Sequence, residues 1–275
     1  MDKISIQSQW IENISILEIS RETAKPAPLI FFVHGVGSDK RQGIPLGYEM
    51  ARKGFVFVSL DAILRGERAD QKFDPSVGGD WESIYPEETW LDELFTMVRM
   101  IRQTSLDLQV LIDHYQDHPR IDWEKIGFAG YSMGGWAAFY SSSINEQIKA
   151  TASIGGAPCF ERIWDNTVLE SSVNQDWIEH LDKVKGDTSL RKAYIRDMDP
   201  LSYFTEEKIN PLLMICGDLD ISPKKHCLDL YSQINQKSQD KIDHIKMSIH
   251  DGIGHQLTLP MAEETAAWFE KIIYN

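Results

Sequence analysis

Short, almost continuously apolar runs recur along the chain and predict the strands of a covered sheet. Runs such as LIFFV at 29–33 and LLMIC at 212–216 carry hardly any polar residue. Strands with helices on both faces have this composition, whereas strands with one face in water alternate. The strands predicted in this way are 29–33, 55–60, 125–131, 150–155, 212–216 and 244–250.

Apolar residues between these runs recur at the spacing of an α-helix. In residues 89–115, for example, Leu91, Leu94, Phe95 and Val98 fall on one face of a helix. The predicted helices are 43–53, 89–115, 133–145, 223–236 and 260–273. Strands that alternate with helices predict a mostly parallel sheet with right-handed crossovers, which is an α/β fold.

Three segments depart from this alternation. Residues 4–10 and 14–19 partly alternate and predict an N-terminal antiparallel hairpin. Residues 157–209 contain no clear core strand, and we interpret them as a short helical cap insertion over the carboxyl edge of the sheet within a single domain, 1–275. The polar, glycine-containing residues 61–88 predict a long loop of the kind that is usually functional or mobile.

Composition and charge narrow the classes of partner. The chain has 275 residues, 42% of them hydrophobic, and a formal net charge of −14, which disfavours nucleic acid and anionic membranes. No run approaches the length of a membrane span, and the first residues lack the pattern of a secretory signal. We therefore expect a cytoplasmic protein that is a monomer or homo-oligomer.

The cysteine and histidine pattern predicts neither a disulfide framework nor a metal site. Cys159, Cys216 and Cys227 are odd in number and lack a C-x-x-C spacing. His250 and His255 have no carboxylate or cysteine at ligand spacing. We expect no metal and no cofactor.

The sequence GYSMGG places Ser132 between glycines where a predicted strand passes into a predicted helix. A sharp strand-to-helix turn strains the serine backbone, and side chains at the neighbouring positions Gly130 and Gly134 would collide. This arrangement predicts a nucleophile elbow, in which the following helix directs its N–H groups at the reaction centre. A tight turn that happens to contain serine is the alternative.

Further candidate groups follow other predicted strands. The sequence HGVG begins directly after 29–33, and the N–H groups of Val36 and Met133 could stabilise an oxyanion. Asp220 follows 212–216 and could orient a histidine, with Asp218 as the alternative acid. His255 follows Gly252 and Gly254 in a loop after the last strand and could take the serine proton, because imidazole has a suitable pKa. We expect a structural role for His250.

These motifs resemble the α/β-hydrolase superfamily, in which serine, acid and histidine occur in this chain order. More narrowly, HGVGSDK at 34–40, GYSMGG at 130–135, GDLDISP at 217–223 and GIGHQLT at 252–258 are similar to small bacterial carboxylesterases of the dienelactone-hydrolase and prolyl-oligopeptidase branch. Dienelactone hydrolases proper use a cysteine nucleophile, and this chain has Ser132 there. The resemblance implies an esterase with a Ser132–His255–Asp220 triad that acts on a small-molecule ester.

Substrate preference is not fixed by these residues. An amidase, peptidase or thioesterase of the same fold, or a ligand-binding protein that retains the fold without catalysis, remains an alternative. Trp81, Trp164 and Trp177 lie in the loop and the insertion, where they could line an acyl pocket or pack the insertion onto the core.

Overall fold

One mixed sheet organises the molecule. The computed structural model describes residues 3–69, 90–170, 188–203, 209–237 and 244–274, and within these residues eight strands form a sheet in the order β1-β2-β4-β3-β5-β6-β7-β8. The strands are β1 (Ile4–Ile11), β2 (Ile14–Arg21), β3 (Ala27–Val33), β4 (Val56–Leu60), β5 (Ile121–Tyr131), β6 (Ile148–Ile154), β7 (Leu212–Gly217) and β8 (Ile245–His250).

The strand directions confirm the predicted α/β architecture. Strands β3 to β8 pair in parallel, whereas β2 is antiparallel to both β1 and β4. The N-terminal hairpin is therefore present as predicted. Because β2 separates β1 from β4 with two reversals, β1 runs in the same direction as the parallel strands.

Helices connect the strands close to the predicted boundaries. Those within the described residues are α1 (Ile44–Arg52), α2 (Trp90–Gln116), α3 (Met133–Ile144), α4 (Phe160–Glu170), α5 (Thr188–Asp197), α6 (Ile221–Lys237) and α7 (Leu259–Tyr274). A 3₁₀ turn at Lys40–Gly43, which was not predicted, precedes α1.

The helices cover both faces of the sheet, which explains the continuous apolar runs. Residues of α1 and α7 pack on one face with β3 and β4 side chains such as Phe32 and Phe57. Residues of α2 and α3 pack on the other face with side chains such as Phe31 and Phe128. Strands buried on both sides cannot alternate, so their composition follows from this layering.

The described part of the predicted insertion shares the core of the sheet. Phe160 and Trp164 of α4 and Ile195 of α5 are buried in the cluster that includes α2 and α3. The Phe95 and Tyr194 rings, from α2 and α5, pack edge to face with centroids 5.5 Å apart. Among the described residues, no helix is both long enough and apolar enough to cross a bilayer.

Candidate active site

Ser132 occupies a sharp turn between β5 and α3. Its φ is +53° and its ψ is −116°, a backbone conformation that side-chain-bearing residues rarely adopt. The Ser132 N–H donates to the carbonyl of Ile154 on the neighbouring strand β6, at 2.8 Å. The strand register therefore holds this strained residue at the carboxyl edge of the sheet, where parallel strands commonly place reactive groups.

The glycines around Ser132 are required by backbone contacts. A Cβ atom on Gly130 would lie 2.0 Å from the Gly134 carbonyl oxygen, and one on Gly134 would lie 1.9 Å from the Val33 carbonyl oxygen. Neither contact can be relieved by rotating a side chain, because the opposing atoms belong to the backbone. This confirms the steric reason that the sequence suggested for both glycines.

His255 connects Ser132 to Asp220 by two hydrogen bonds. His255 Nε2 is 2.8 Å from Ser132 Oγ, and His255 Nδ1 is 2.8 Å from Asp220 Oδ2. Asp220 lies immediately before α6 and is buried, whereas the His255 side chain is 46% exposed. Three residues far apart in sequence thus form one continuous hydrogen-bonded chain.

Asp218, the alternative acid, and His250, for which we expected a structural role, form hydrogen bonds outside this hydrogen-bonded chain. Asp218 Oδ1 accepts from the Ile253 N–H at 3.1 Å, so it orders the loop that carries His255. His250 Nε2 bonds to Glu264 Oε2 at 2.8 Å. The structure therefore brings Asp220, and not Asp218, to His255.

The loop that carries His255 packs closely on the end of β7. A Cβ atom on Gly217 would lie 2.0 Å from the Ile253 carbonyl oxygen, so glycine is required there. Gly252 has a φ of +71°, and neither Gly252 nor Gly254 has an atom within 4 Å of where a Cβ would be. The loop is thus fixed at Ile253 and open at the glycines on either side.

The HGVG segment lies against Ser132. A Cβ atom on Gly35 would be 3.4 Å from the Ser132 Cβ, and the Gly134 N–H donates to the His34 carbonyl at 3.1 Å. Within the described residues, the Val36 N–H makes no hydrogen bond, and neither does the Met133 N–H at the start of α3. The HGVG segment therefore lies beside the serine, and the role of the two N–H groups as oxyanion donors stays a prediction.

His34 fixes the orientation of the Val36 N–H. His34 Nε2 accepts from the Ala62 N–H at 3.1 Å, so the ring proton is on Nδ1, which donates to the Gly35 carbonyl at 2.7 Å. Ser38 N–H donates to the same carbonyl at 3.0 Å. Because the Gly35–Val36 peptide is planar and trans, the Val36 N–H points in the opposite direction from this carbonyl. Burial lowers the pKa of His34, which keeps the imidazole neutral in this role.

The loop after β4 contacts the HGVG segment and the residues that follow it. Asp61 is buried, and its two carboxylate oxygens accept from the Lys40 N–H at 2.8 Å and the Glu67 N–H at 3.0 Å. Gly66 has a φ of +56°, and a Cβ there would lie 2.1 Å from Asp61 Oδ1. Arg65 Nε donates to the Val36 carbonyl, so the loop that Asp61 orders also holds the segment that bears Val36.

Tyr131 is a site residue that the sequence interpretation missed. Its hydroxyl donates to the His255 carbonyl at 2.8 Å, and its ring packs against the His255 ring with centroids 5.4 Å apart. Burial, together with the charge of Asp220, raises the pKa of Tyr131 to about 12, so the hydroxyl retains its proton. The position of Tyr131 directly before Ser132 in GYSMGG was the available signal.

The structure describes one of the three tryptophans that could line an acyl pocket. Trp164 is 3% exposed and belongs to the core cluster, so in this structure it packs the insertion onto the sheet. Trp81 and Trp177 lie outside the described residues, and their predicted contact with substrate stays a prediction. Among the described residues, no three His, Cys, Asp or Glu side chains come together as a metal site.

Two protein-family models match this chain. The model of the dienelactone hydrolase family matches residues 20–184, which is more than half of the chain and includes HGVG and GYSMGG. The chain belongs to the dienelactone hydrolase family. A second model, for the C-terminal part of BAAT and acyl-CoA thioester hydrolases, matches residues 109–273, which include Ser132, Asp220 and His255.

Individual proteins are similar to this chain over nearly its whole length. A Bacillus subtilis (strain 168) protein named "Putative esterase YitV" is 24% identical over 97% of this chain and 98% of its own length. TT1662 from Thermus thermophilus has a TM-score of 0.72 at 17% identity, with 99% of both chains covered. An acetyl xylan esterase from Paenibacillus sp. R4 has a TM-score of 0.65 at 16% identity, covering 98% of this chain and 89% of its own. At these identities, the two structures establish the α/β-hydrolase fold alone.

Proposed function

We propose that this protein is a serine hydrolase that cleaves carboxylic esters with small to medium acyl groups through an acyl-enzyme intermediate. One observation carries the proposal. Ser132 stands in a strained turn with its Oγ 2.8 Å from His255 Nε2, and His255 Nδ1 is 2.8 Å from Asp220 Oδ2. A nucleophile, a base and a group that orients the base are the parts that acyl transfer requires.

Acylation begins when His255 Nε2 accepts the proton of Ser132. Ser132 Oγ then bonds to the acyl carbon, and the negative charge that develops on the carbonyl oxygen is stabilised by the N–H groups of Val36 and Met133. His255 next donates its proton to the leaving alkoxide as the ester C–O bond breaks. The alcohol departs, and the acyl group remains on Ser132.

Deacylation repeats these steps with water. His255 removes a proton from water, the resulting hydroxide attacks the acyl carbon, and the proton passes to Ser132 Oγ as its bond to the acyl group breaks. Asp220 accepts a hydrogen bond from Nδ1 throughout, which keeps Nε2 free to act and stabilises the imidazolium. The chemistry needs only residues of this chain and water.

The names of relatives support an ester substrate and a modest acyl size. YitV is named as an esterase, and the Paenibacillus enzyme is named for the removal of acetyl groups. The match to the acyl-CoA thioester hydrolase model favours a thioesterase as the second candidate, because the matched segment contains all three residues of the hydrogen-bonded chain.

A matched substrate series separates these candidates. We expect turnover of p-nitrophenyl esters from acetate through laurate, with kcat/KM highest at the short end, and weaker turnover of a thioester and a p-nitroanilide with the same acyl group. Ser132→Ala should be inactive on each substrate. A thioester turned over faster than the matched ester would favour the second candidate, and an anilide optimum would favour an amidase.

Tyr131→Phe tests how much the hydrogen bond from Tyr131 to the His255 carbonyl contributes to catalysis. The variant loses the hydrogen bond to the His255 carbonyl but keeps the ring beneath His255, so we expect kcat to fall about fivefold with KM unchanged, since a hydrogen bond contributes about 1 kcal/mol. The control is Tyr115→Phe, which loses a hydrogen bond to Glu18 in the core beneath the sheet. An unchanged kcat in Tyr131→Phe, or an equal loss in the control, would show that the Tyr131 hydroxyl does not position His255.

A further inference from the structure

Strand β1 forms an open edge of the sheet. It pairs with β2 alone, and within the described residues no strand covers the other side of its backbone. Its eight residues, ISIQSQWI, include no charged side chain and no proline. Two large apolar side chains on the same face are exposed, Ile6 at 50% and Trp10 at 53%. Long, uncharged edge strands of this kind readily pair with another strand.

The opposite edge of the same sheet is protected by charge. On β8, Lys246, Ser248 and His250 point to one face, and all three bond to Glu264 on α7. Burial raises the pKa of Glu264, but these three hydrogen bonds outweigh that effect, so its pKa is lowered and it stays ionised. Charged side chains along an edge strand discourage pairing with other chains. The contrast leaves β1 as the edge that can accept a partner.

The sequence of β1 is complementary to itself. In a two-fold symmetric antiparallel pair, residues directly opposite each other share a face, so one residue must lie opposite its own copy. If that residue is Ser8, Ile6 of each strand lies opposite Trp10 of the other. Both exposed apolar side chains then form cross-strand aromatic–aliphatic pairs, which stabilise antiparallel sheets.

Charge favours the same arrangement. The chain carries a net charge of −14, so two copies repel each other, and this repulsion is smallest where the contacting surface has no charge, as along β1. Lys3 precedes the strand and Glu12 follows it. Antiparallel pairing therefore brings the cationic end of each strand to the anionic end of the other.

We propose that β1 is a homodimerisation surface, on which a second copy of this chain pairs through its own β1, antiparallel about a two-fold axis at Ser8. The pairing joins the two sheets into one. Since β1 runs in the same direction as β3 to β8, the axis reverses the second sheet, and the two candidate active sites face opposite sides of the dimer. Dimer formation therefore leaves both sites open.

Substitution at the axis gives a specific test, because a charge placed at Ser8 meets its own copy. By sedimentation equilibrium of the full chain, we expect wild type to be a dimer and Ser8→Lys to raise the dimer dissociation constant by about tenfold or more. Ser8→Glu should do the same. Mixing the two variants should restore the dimer, because opposite charges then face each other. Ester turnover per chain should be unchanged in each variant.

The control is Ser232→Lys, which introduces the same charge at an exposed serine on α6 and should leave the dissociation constant unchanged. A wild type that remains monomeric at micromolar concentrations would overturn the proposal and leave β1 open to a strand of another protein. A dimer that survives both Ser8 substitutions, or a mixture that fails to reassociate, would place any interface on another surface and overturn it equally.

Discussion

Replacing Ser132 with alanine is expected to lower kcat for p-nitrophenyl acetate by about 10⁴- to 10⁶-fold while KM stays within a small factor of wild type. Alanine removes the only atom that bonds to the acyl carbon, but the Val36 and Met133 N–H groups and the rest of the pocket remain. Initial rates of p-nitrophenol release, with circular dichroism to verify folding, measure the effect.

Ser132→Gly is the matched control for the fold. The serine has a φ of +53° and a ψ of −116°, a conformation that glycine adopts without the strain imposed by a Cβ. We expect Ser132→Gly to be as inactive as Ser132→Ala but more stable, by about 1 kcal/mol in the free energy of unfolding. Residual activity within tenfold of wild type in either variant would show that another group is the nucleophile.

Asp220→Asn should cause the second largest loss, with kcat about 10³- to 10⁴-fold lower, whereas Asp218→Asn should lose less than about tenfold. An asparagine at 220 can donate its amide N–H to His255 Nδ1. That favours the tautomer with its proton on Nε2, which cannot accept the Ser132 proton. Both variants keep the size of the side chain, so the comparison isolates the charge and the hydrogen-bond direction.

Asp218→Asn has a separate expected effect on stability. Asp218 Oδ1 accepts from the Ile253 N–H at 3.1 Å, and weakening this hydrogen bond to a charged group costs about 1 kcal/mol in the free energy of unfolding. Parallel kinetics and denaturant titrations of the two variants separate these roles. A larger loss of kcat in Asp218→Asn than in Asp220→Asn would reverse the assignment.

Much of the fold could be predicted because local patterns agree with the layering. Apolar runs such as 29–33 lie on strands covered by helices, and the run 89–115 matches α2 at Trp90–Gln116. Helix boundaries differ from the predicted ones where a backbone hydrogen bond, which the hydrophobic pattern does not reveal, sets the first residue. The predicted helix 223–236 begins at Ile221, since the Lys224 N–H bonds to the Asp220 carbonyl and Pro223 is tolerated in the first turn.

The candidate nucleophile, base and acid could be located from the sequence because each follows a predicted strand. Their supporting contacts could not. Gly217 approaches the Ile253 carbonyl, and His34 holds the Gly35 carbonyl, only after distant segments come together. The Tyr131 hydroxyl likewise reaches the carbonyl of His255 across 124 positions of sequence. Contacts of this kind depend on tertiary packing, which hydrophobic periodicity does not encode.

The fold alone leaves the reaction open, because α/β scaffolds host many functions. The reaction proposed here rests on the backbone strain at Ser132 and on the hydrogen-bonded chain through His255 to Asp220. Hydrolases of this kind react with electrophiles that resemble the acyl substrate, whatever leaving group the natural substrate carries.

Covalent labelling with a fluorophosphonate tests the central claim most directly, because it requires an activated nucleophile but no knowledge of the substrate. Intact mass followed by peptide mapping reports both stoichiometry and site. We predict one adduct per chain, on Ser132, with labelling slowed strongly in His255→Ala and absent in Ser132→Ala. A folded wild-type protein that takes up no label, or takes it up on a residue other than Ser132, would contradict a serine-hydrolase mechanism at this site.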